Sequence, residues 1–221
     1  MRVLWQILLL PLPWFIRRPL LSLVPGFAIG KGARIGRSII AAARLEMGEG
    51  AIIGHLTVVK GLARLELGEG ARLGNLNWVT AVPLSAREFF RHLPERDPSL
   101  VLEEQAAITH RHLIDCTGGV RIGAFATFAG WHSQIISHSF DFRASRQDAA
   151  PISVGRYSFV GSRAILLKGS SLPERSVLGA GSVYEARDEA TLGLYRGNPA
   201  QRVGELPDDL GYFQRTTGFV A

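Results

Sequence analysis

The sequence predicts an all-β domain wound into a triangular parallel β-helix, and three observations carry this prediction. Aliphatic or aromatic residues recur every six positions in the last third of the chain, at Val154, Val160, Leu166, Leu172, Leu178 and Tyr184. The same spacing occurs near the N-terminus, at Ile29, Ile35, Ala41, Met47, Ile53 and Val59. Residues 44–61 are also followed, at an offset of twenty, by the similar stretch 64–81. Neither an α-helix nor a single strand produces a register of six, so the pattern indicates a solenoid of stacked coils.

Each coil of such a solenoid has three short faces of six residues. The inward aliphatic side chain of a hexad stacks on its equivalent one coil away, and backbone hydrogen bonds between parallel strands join the coils. A second series, two positions earlier, fits the narrow interior, at Ile152, Ser158, Ala164, Ser170, Ser176 and Ser182. A third block keeps the register through Cys116, Ile122 and Phe128. The spacing alone does not fix the handedness of the helix.

Residues 154–184 and the Gly-Asn-Pro-Ala turn at 197–200 are the most specific part of the pattern. They resemble the closing coils of the hexapeptide-repeat acyltransferases, and the resemblance extends over about residues 27–81 and 108–203. It implies a left-handed parallel β-helix, an exception to the usual right-handed crossover. It also implies a homotrimer with active sites between subunits, and acetyl-CoA as the acyl donor.

The composition fits one soluble domain with a continuous core, since 47% of the 221 residues are hydrophobic. The net charge of +6 comes from 22 arginines and three lysines, and it suits phosphorylated small molecules or anionic lipid. No nucleic-acid-binding motif accompanies the charge, so nucleic acid is not an expected partner. The single cysteine, Cys116, lies in the six-residue register and is interpreted as a core thiol in a cytoplasmic protein.

The N-terminal segment, residues 1–26, is apolar but too short and too interrupted by proline and arginine for a spanning helix. Two alternatives are open for it. The segment caps the open end of the β-helix, which would otherwise expose core residues and unpaired backbone. Or it lies in a membrane interface at the inner face of the plasma membrane, with Arg17 and Arg18 meeting lipid phosphates. The β-helix domain follows as residues 27–203, and residues 204–221 form a tail.

Two segments leave the register and are predicted to be excursions from the coils. Residues 82–107 form an insertion, in which Ser85 and Glu88 make a capping box for a short helix through His92. Residues 139–153 form an extended loop. Loops on a rigid scaffold carry function, so the chemistry is expected next to these breaks.

His138 stands at the end of a coil, just before the second excursion. Relatives in the resembling family carry a histidine at this place, which implies that His138 is the general base of direct acyl transfer. Imidazole suits this role because its ordinary pKa of about 6.5 lies near the working pH. The residue that orients the imidazole stays open, since Asp141 and Asp148 are only close in sequence.

The same resemblance assigns coenzyme A to the C-terminal coils, where small residues let the pantetheine lie between subunits. The matching residues here are Gly161, Ser162, Ala180, Gly181, Asn198 and Pro199, and Lys168 and Arg202 are the cations expected near the phosphates. His112, Asp115 and His132 are weaker candidates for contact with the acceptor. The expected acceptor is a hydroxyl of a saccharide or lipid-linked saccharide in surface-polysaccharide synthesis.

Other functions stay open at this point. N-acyl transfer to an amino sugar and acyl transfer to a small molecule such as serine or an antibiotic are two of them. A zinc-dependent lyase like the γ-class carbonic anhydrases shares the fold, and histidines 110, 112, 132 and 138 are its candidate ligands. The spacing of His132 and His138 departs from the familiar close pair of that class, so no metal is expected. A non-catalytic scaffold is the remaining alternative.

Overall fold

The computed structural model describes residues 2–86 and 88–218, and these residues form a three-sided prism of parallel strands. Strands are numbered in chain order. Face 1 consists of β1 (Phe27–Ile29), β4 (Arg44–Met47), β7 (Arg64–Leu67), β10 (Ser99–Leu102), β13 (Val120–Ile122), β18 (Ile152–Val154) and β21 (Ser171–Leu172). Face 2 consists of β2 (Arg34–Ile35), β5 (Ile52–Ile53), β8 (Arg72–Leu73), β11 (Ala107–Ile108), β14 (Thr127–Phe128), β19 (Phe159–Val160), β22 (Val177–Leu178), β24 (Gly193–Gly197) and β25 (Ala200–Glu205). Face 3 consists of β3 (Ile39–Ala41), β6 (Val58–Lys60), β9 (Trp78–Thr80), β12 (Leu113–Asp115), β15 (Gln134–Ile136), β20 (Ile165–Leu167) and β23 (Val183–Tyr184).

The observed register confirms the predicted fold class. The repeated stretches stack directly, with Arg44 opposite Arg64 and Met47 opposite Leu67. The inward side chains of the three faces form one continuous core along the prism axis. Cys116 belongs to this core and is fully buried, as predicted.

The inward register departs from the prediction at two places. Ile40 is buried where Ala41 was expected to point inward, since Ile40 lies opposite the buried Val59. The coil after Phe128 contains one extra residue, so Ser133 and Ile135 point inward. His132 lies in the turn with a φ of 60° and is exposed. An inserted turn residue shifts every later side chain by one, which a strict period of six does not anticipate.

The first excursion differs from the prediction in length and conformation. Ser99–Leu102 is already back in face 1, paired with Arg64–Leu67, so the excursion ends at residue 98 and not at residue 107. Its described residues form successive turns where a short helix from Ser85 to His92 was predicted. A segment this short gains little from helix formation alone, and contacts with neighbouring segments decide its shape.

The second excursion is an antiparallel hairpin in place of the expected extended loop. Its strands are β16 (His138–Asp141) and β17 (Arg146–Ala149), and His138 lies opposite Ala149 at the base. The coils resume at Ile152, which pairs with Val120. The hairpin therefore places His138 at a fixed position where the chain leaves the prism.

Two helices, α1 (Arg2–Leu9) and α2 (Trp14–Ser22), cover the first coil. The Gln6 side chain bonds both the N–H and the C=O of Ile40, each at 2.8 Å, and Leu9 and Leu21 join the core. Arg17 was expected to meet lipid phosphates, but it is buried and donates to the Gly36 carbonyl at 2.9 Å. The open end of a coil leaves such carbonyls unpaired, and the arginine satisfies one of them. Among the described helices, none is long and apolar enough to cross a membrane.

The other end of the prism closes with an antiparallel pair of strands. β24 extends face 2 beyond Val177–Leu178, and β25 folds back on β24 as an antiparallel partner. Helix α3 (Gly211–Gln214) follows, and the tail returns along the prism, where Tyr212 Oη donates to the Ser158 carbonyl at 3.2 Å. The coils are thus capped at both ends.

Candidate active site

Both excursions leave the prism at the same corner, between face 3 and face 1. The first leaves after β9 and returns as β10, and the second leaves after β15 and returns as β18. The coil between them passes through this corner without an excursion and places Asp115 there, at the end of β12. One corner of three consecutive coils therefore carries the irregular segments and the histidine that the sequence singled out.

Asp115 is the partner of His138 that the sequence left unassigned. The Nδ1 atom of His138 lies 2.7 Å from Oδ2 of Asp115. The carboxylate is only 5% exposed, and it accepts the backbone N–H and hydroxyl of Thr117 on Oδ1 and those of Ser137 on Oδ2. A carboxylate held by this many donors cannot rotate away, so it fixes the imidazole ring beside it. Asp141 and Asp148 lie on the hairpin and hold other groups.

The pKa values of the pair move in opposite directions. The interaction with Asp115 raises the pKa of His138 above its ordinary value, against the opposing effects of burial and of Arg96. Burial would raise the pKa of Asp115, but the neighbouring His138 imidazole and the hydrogen bonds from Thr117 hold it below its ordinary value. Asp115 is thus ionised near neutral pH and holds Nδ1, which leaves Nε2 of the half-exposed His138 ring as the basic atom.

The first excursion forms one wall of the site. The Phe90 ring meets the His138 ring edge to face, with 6.4 Å between centroids and 85° between planes. The Arg96 guanidinium lies 4.5 Å from the centroid of Phe90 and donates to the carbonyl of Thr117 at 2.9 Å. Sequence reasoning missed both residues, because the insertion follows no repeat and carries no motif that marks them.

An ion cluster joins the excursions to the coil beyond His138. Asp148 of the hairpin lies 3.2 Å from Nε2 of His92 in the insertion and binds Nζ of Lys168. The hydrogen bond from Lys168 lowers the pKa of Asp148. Lys168, which was predicted to approach coenzyme A phosphates, follows the strand Ile165–Leu167 at the same corner as His138, where it pairs with Asp148. A cleft lies between the insertion and the hairpin, lined in part by His92, Arg96 and Ala149.

The small residues assigned to coenzyme A lie at a different corner. Gly161, Ser162, Ala180 and Gly181 follow strands of face 2, at its junction with face 3, and the Gly181 N–H donates to the Ser162 carbonyl at 2.9 Å. Asn198 and Pro199 form the turn between β24 and β25, and Gly197 beside them donates to Ser182 Oγ at 3.2 Å. Arg202 on β25 lies 3.7 Å from Glu205. Within one chain, the width of face 3 separates this corner from His138.

His112 does not fit the predicted contact with the acceptor. It is 2% exposed, its Nδ1 accepts the Ser133 N–H at 3.2 Å, and its Nε2 lies 3.0 Å from Thr109 Oγ1. Burial lowers the pKa of His112 to about 4. The residue belongs to an internal column of buried polar side chains that bond from coil to coil, namely Ser38, Thr57, Asn77, His112 and Ser133.

Two further histidines that the sequence offered as metal ligands lie apart from His138. His110 and His132 lie where face 2 meets face 3, and Nδ1 of His110 accepts the Asn75 N–H at 2.8 Å. Within residues 2–86 and 88–218, no group of three or more His, Cys, Asp or Glu side chains is placed to hold a metal ion. Burial raises the pKa of the Cys116 thiol, which keeps it in the unreactive protonated form.

No protein-family model and no curated protein matches the sequence. Solved structures do match. AntD, an N-acyltransferase from Bacillus cereus in complex with dTDP and 3-hydroxybutyryl-CoA, has a TM-score of 0.57 and 11% identity, covering 91% of this chain and 94% of AntD. A point mutant of AntD, in complex with dTDP-4-amino-4,6-dideoxyglucose and coenzyme A, has the same TM-score and identity, covering 86% and 89%. The chain has the left-handed β-helix fold of these acyltransferases.

A galactoside acetyltransferase in complex with coenzyme A is also similar, with a TM-score of 0.50 and 17% identity. The match covers 71% of this chain and 72% of that protein. At these identities the likeness establishes the shared fold, and the activity must be argued from the residues of this chain.

Proposed function

We propose that this chain is an acyl-CoA-dependent O-acyltransferase, which transfers an acetyl group from acetyl-CoA to a sugar hydroxyl in polysaccharide synthesis. The observation that carries the proposal is the His138–Asp115 pair. A buried, fully bonded carboxylate holds one nitrogen of a half-exposed imidazole at the corner where both excursions leave the prism. This arrangement is typical of a general base oriented by a carboxylate.

The chemistry follows from the free nitrogen. Nε2 of His138 takes the proton of the acceptor hydroxyl as the oxygen attacks the thioester carbonyl of acetyl-CoA. The tetrahedral intermediate collapses with cleavage of the carbon–sulfur bond, and the imidazolium returns the proton to the thiolate of coenzyme A. Asp115 stabilises the imidazolium between these two steps.

A homotrimer belongs to the same proposal, and the outer surface of face 3 supports it. One column of outward side chains runs in register along this face and is apolar except for Gln134: Ile39, Val58, Trp78, Leu113, Gln134, Ile165 and Val183. Trp78 is 52% exposed and Leu113 is 42% exposed. An apolar sheet face of this length is typical of an interface. Packing face 3 against neighbouring chains would bring the His138 corner of one chain to the small-residue corner of the next.

The sugar acceptor rests on similar proteins. AntD is named as an N-acyltransferase and is seen with a dTDP-linked amino sugar, and another similar structure is a galactoside acetyltransferase. A saccharide hydroxyl is therefore our first acceptor class, and N-acyl transfer to an amino sugar is the second. Of the four histidine candidates for the zinc-lyase alternative, His112 is buried and bonded inside the prism, which leaves His110 and His132 at one corner and His138 at another.

Peripheral contact of residues 1–26 with the inner face of the plasma membrane completes the proposal for a cytoplasmic enzyme. The outer side of the two-helix cap exposes large apolar residues, including Leu4, Leu8, Phe15 and Leu23, at 66–77%. Residues 1–45 contain seven Lys or Arg residues and no Asp or Glu. An apolar surface within a basic end of the molecule suits anionic lipid headgroups.

The acyl-transfer proposal is tested by release of the coenzyme A thiol from acetyl-CoA in the presence of sugar and amino-sugar acceptors. We expect turnover with a sugar acceptor, and we expect His138→Ala to lower kcat by about 10²–10⁴. Its affinity for acetyl-CoA should stay near that of the wild type, because the base acts in the chemical step. Turnover by His138→Ala at the wild-type rate would contradict the assignment of the base.

The membrane proposal is tested by sedimentation with phosphatidylglycerol vesicles, with phosphatidylcholine vesicles as the comparison. We expect the wild type to sediment with the anionic vesicles and a Leu8→Ser/Phe15→Ser double variant to stay in solution. Both side chains are exposed, at 71% and 77%, so the variant should keep its fold. Equal sedimentation of the two proteins would contradict lipid contact through the cap.

A further inference from the structure

Arg96 connects the insertion to the coil that carries Asp115. Its Nη1 atom donates to the carbonyls of Val82 and Thr117, at 2.8 and 2.9 Å, and Nη2 donates to the carbonyl of Pro83 at 3.5 Å. The first and last parts of the insertion are thereby tied together and to the prism. Only a planar guanidinium offers several donors in a fixed geometry of this kind.

The same guanidinium is linked to each member of the candidate catalytic pair through one intermediate residue. Thr117, whose carbonyl it holds, donates its N–H and its hydroxyl to Oδ1 of Asp115, at 3.2 and 2.6 Å. Phe90, over whose ring it lies at 4.5 Å, packs edge to face against His138. Phe90 is 6% exposed, so its ring has little freedom to move away.

The charge of Arg96 also reaches the site. Arg96 lowers the pKa of His138, whereas Asp115 raises it. Elsewhere around the hairpin, His92 and Lys168 pair with Asp148, and Arg146 pairs with Asp141. Arg96 thus opposes part of the effect of Asp115 from the side of the insertion.

We propose that Arg96 is a positioning residue for the His138–Asp115 pair, fixing the carboxylate through Thr117 and the imidazole through Phe90. The inference rests on the proposed role of His138 as the base. It assigns the insertion a function in catalysis, since a coil without the insertion would lack both Phe90 and Arg96.

Two substitutions separate the geometry of Arg96 from its charge. Arg96→Met removes both, whereas Arg96→Lys keeps the charge but loses the planar fork and the stacking on Phe90. We expect kcat to fall by about 10²-fold in Arg96→Met, as for a misplaced catalytic group, and to fall in Arg96→Lys as well. The KM for acetyl-CoA should change little in both variants.

The second readout is the pKa of the His138 imidazole, measured by NMR and assigned with His138→Gln. We expect this pKa to rise in Arg96→Met, because a nearby cation is removed, and to stay near the wild-type value in Arg96→Lys. The nuclear Overhauser contact between the Phe90 and His138 rings should weaken in both variants. Lys31→Met is the control for net charge, since Lys31 lies in the first coil and its side chain is 89% exposed.

Wild-type kcat in Arg96→Lys would overturn positioning by geometry and reduce the role of Arg96 to its charge. Unchanged kcat, pKa and ring contact in Arg96→Met would overturn the inference altogether. The NMR readout does not depend on turnover, so it separates a failure of this inference from a failure of the proposed base. Unfolding midpoints of both variants establish that the proteins compared are folded.

Discussion

The proposed mechanism depends on two residues, Asp115 and His138, and the sequence predicted only His138 as catalytic. His138 stood out because it precedes a break in the repeat. Asp115 lies 23 positions earlier on the neighbouring coil, and it was considered only as a contact for the acceptor. In a solenoid, a residue contacts the residue that lies one coil further along the chain. The number of residues in a coil decides which two residues meet, and that number changes here with every excursion.

Asp115→Asn should shift the pH dependence of turnover. The carboxylate raises the pKa of His138, so its removal lowers that pKa, and the imidazole stays neutral to lower pH. We expect the acid limb of the kcat/KM profile to move to lower pH. We also expect the maximal kcat to fall by about 10²-fold or more, because the ring loses its orientation.

The measurement is the pH profile of both proteins, with Asp209→Asn in the exposed tail as the control. An acid limb that stays in place, or one that moves to higher pH, would contradict the pairing of Asp115 with His138.

His112 makes a separate prediction about stability. Its pKa is about 4 in the folded chain, below the ordinary value of about 6.5 in an unfolded chain. The stability that comes from keeping His112 neutral in the core is therefore fully present above about pH 6.5 and is lost as the pH falls towards 4. The loss in the free energy of unfolding amounts to about 3 kcal/mol. We expect His112→Asn, with the side chain found one coil away at Asn77, to remove this part of the acid sensitivity.

The test is the free energy of unfolding in urea at pH 7 and at pH 4.5. His112→Asn should be somewhat less stable than the wild type at pH 7 and should lose less stability on acidification. Parallel losses in the two proteins would show that His112 does not contribute to the pH dependence.

At the scale of elements, the coils followed from the repeat and the excursions did not. Stacked strands obey a short local pattern, which is why Arg44–Met47 and Arg64–Leu67 pair as the sequence indicated. The insertion has no such pattern, and its turns depend on contacts with Thr117 of the prism and Asp148 of the hairpin, which are distant in sequence. The extra residue before Ser133 was also not predicted, because a single residue inserted in a turn does not change the types of residue in the hexad.

The N-terminal cap has an inner face that packs on the prism and stabilises it, and an outer face that is exposed. Gln6 is 3% exposed and satisfies both backbone groups of Ile40. Gln6→Ala leaves two buried polar groups unpaired, and we expect it to destabilise the chain by about 2–3 kcal/mol. Leu8→Ala, at a site 71% exposed, should change stability by less than about 0.5 kcal/mol.

Denaturant unfolding of the two variants checks this prediction. If Gln6→Ala were as stable as Leu8→Ala, the cap would not be bonded to the first coil as described.

On the scale of the whole molecule, the two candidate halves of the site lie at opposite edges of face 3. Leu113→Glu places a charge in the apolar column of that face and should prevent assembly of the proposed trimer, because a carboxylate would be buried without a partner. We expect sedimentation equilibrium to give a monomer with an intact β-sheet signal and with weakened turnover. Leu23→Glu, on the outer side of the cap, is the matched control and should stay trimeric.

A trimeric Leu113→Glu protein would show that face 3 is not the interface. The small-residue corner would then have to meet His138 in another way.

The proposed use of acetyl-CoA as the acyl donor is tested by calorimetric titration of the purified, metal-analysed protein with acetyl-CoA. We predict binding of one acetyl-CoA per chain in the wild type and in His138→Ala, and weaker binding in Leu113→Glu, where neighbouring chains no longer complete the site. Absence of acetyl-CoA binding by the wild type, together with stoichiometric zinc, would contradict acyl transfer and favour a metal-dependent lyase on the same fold.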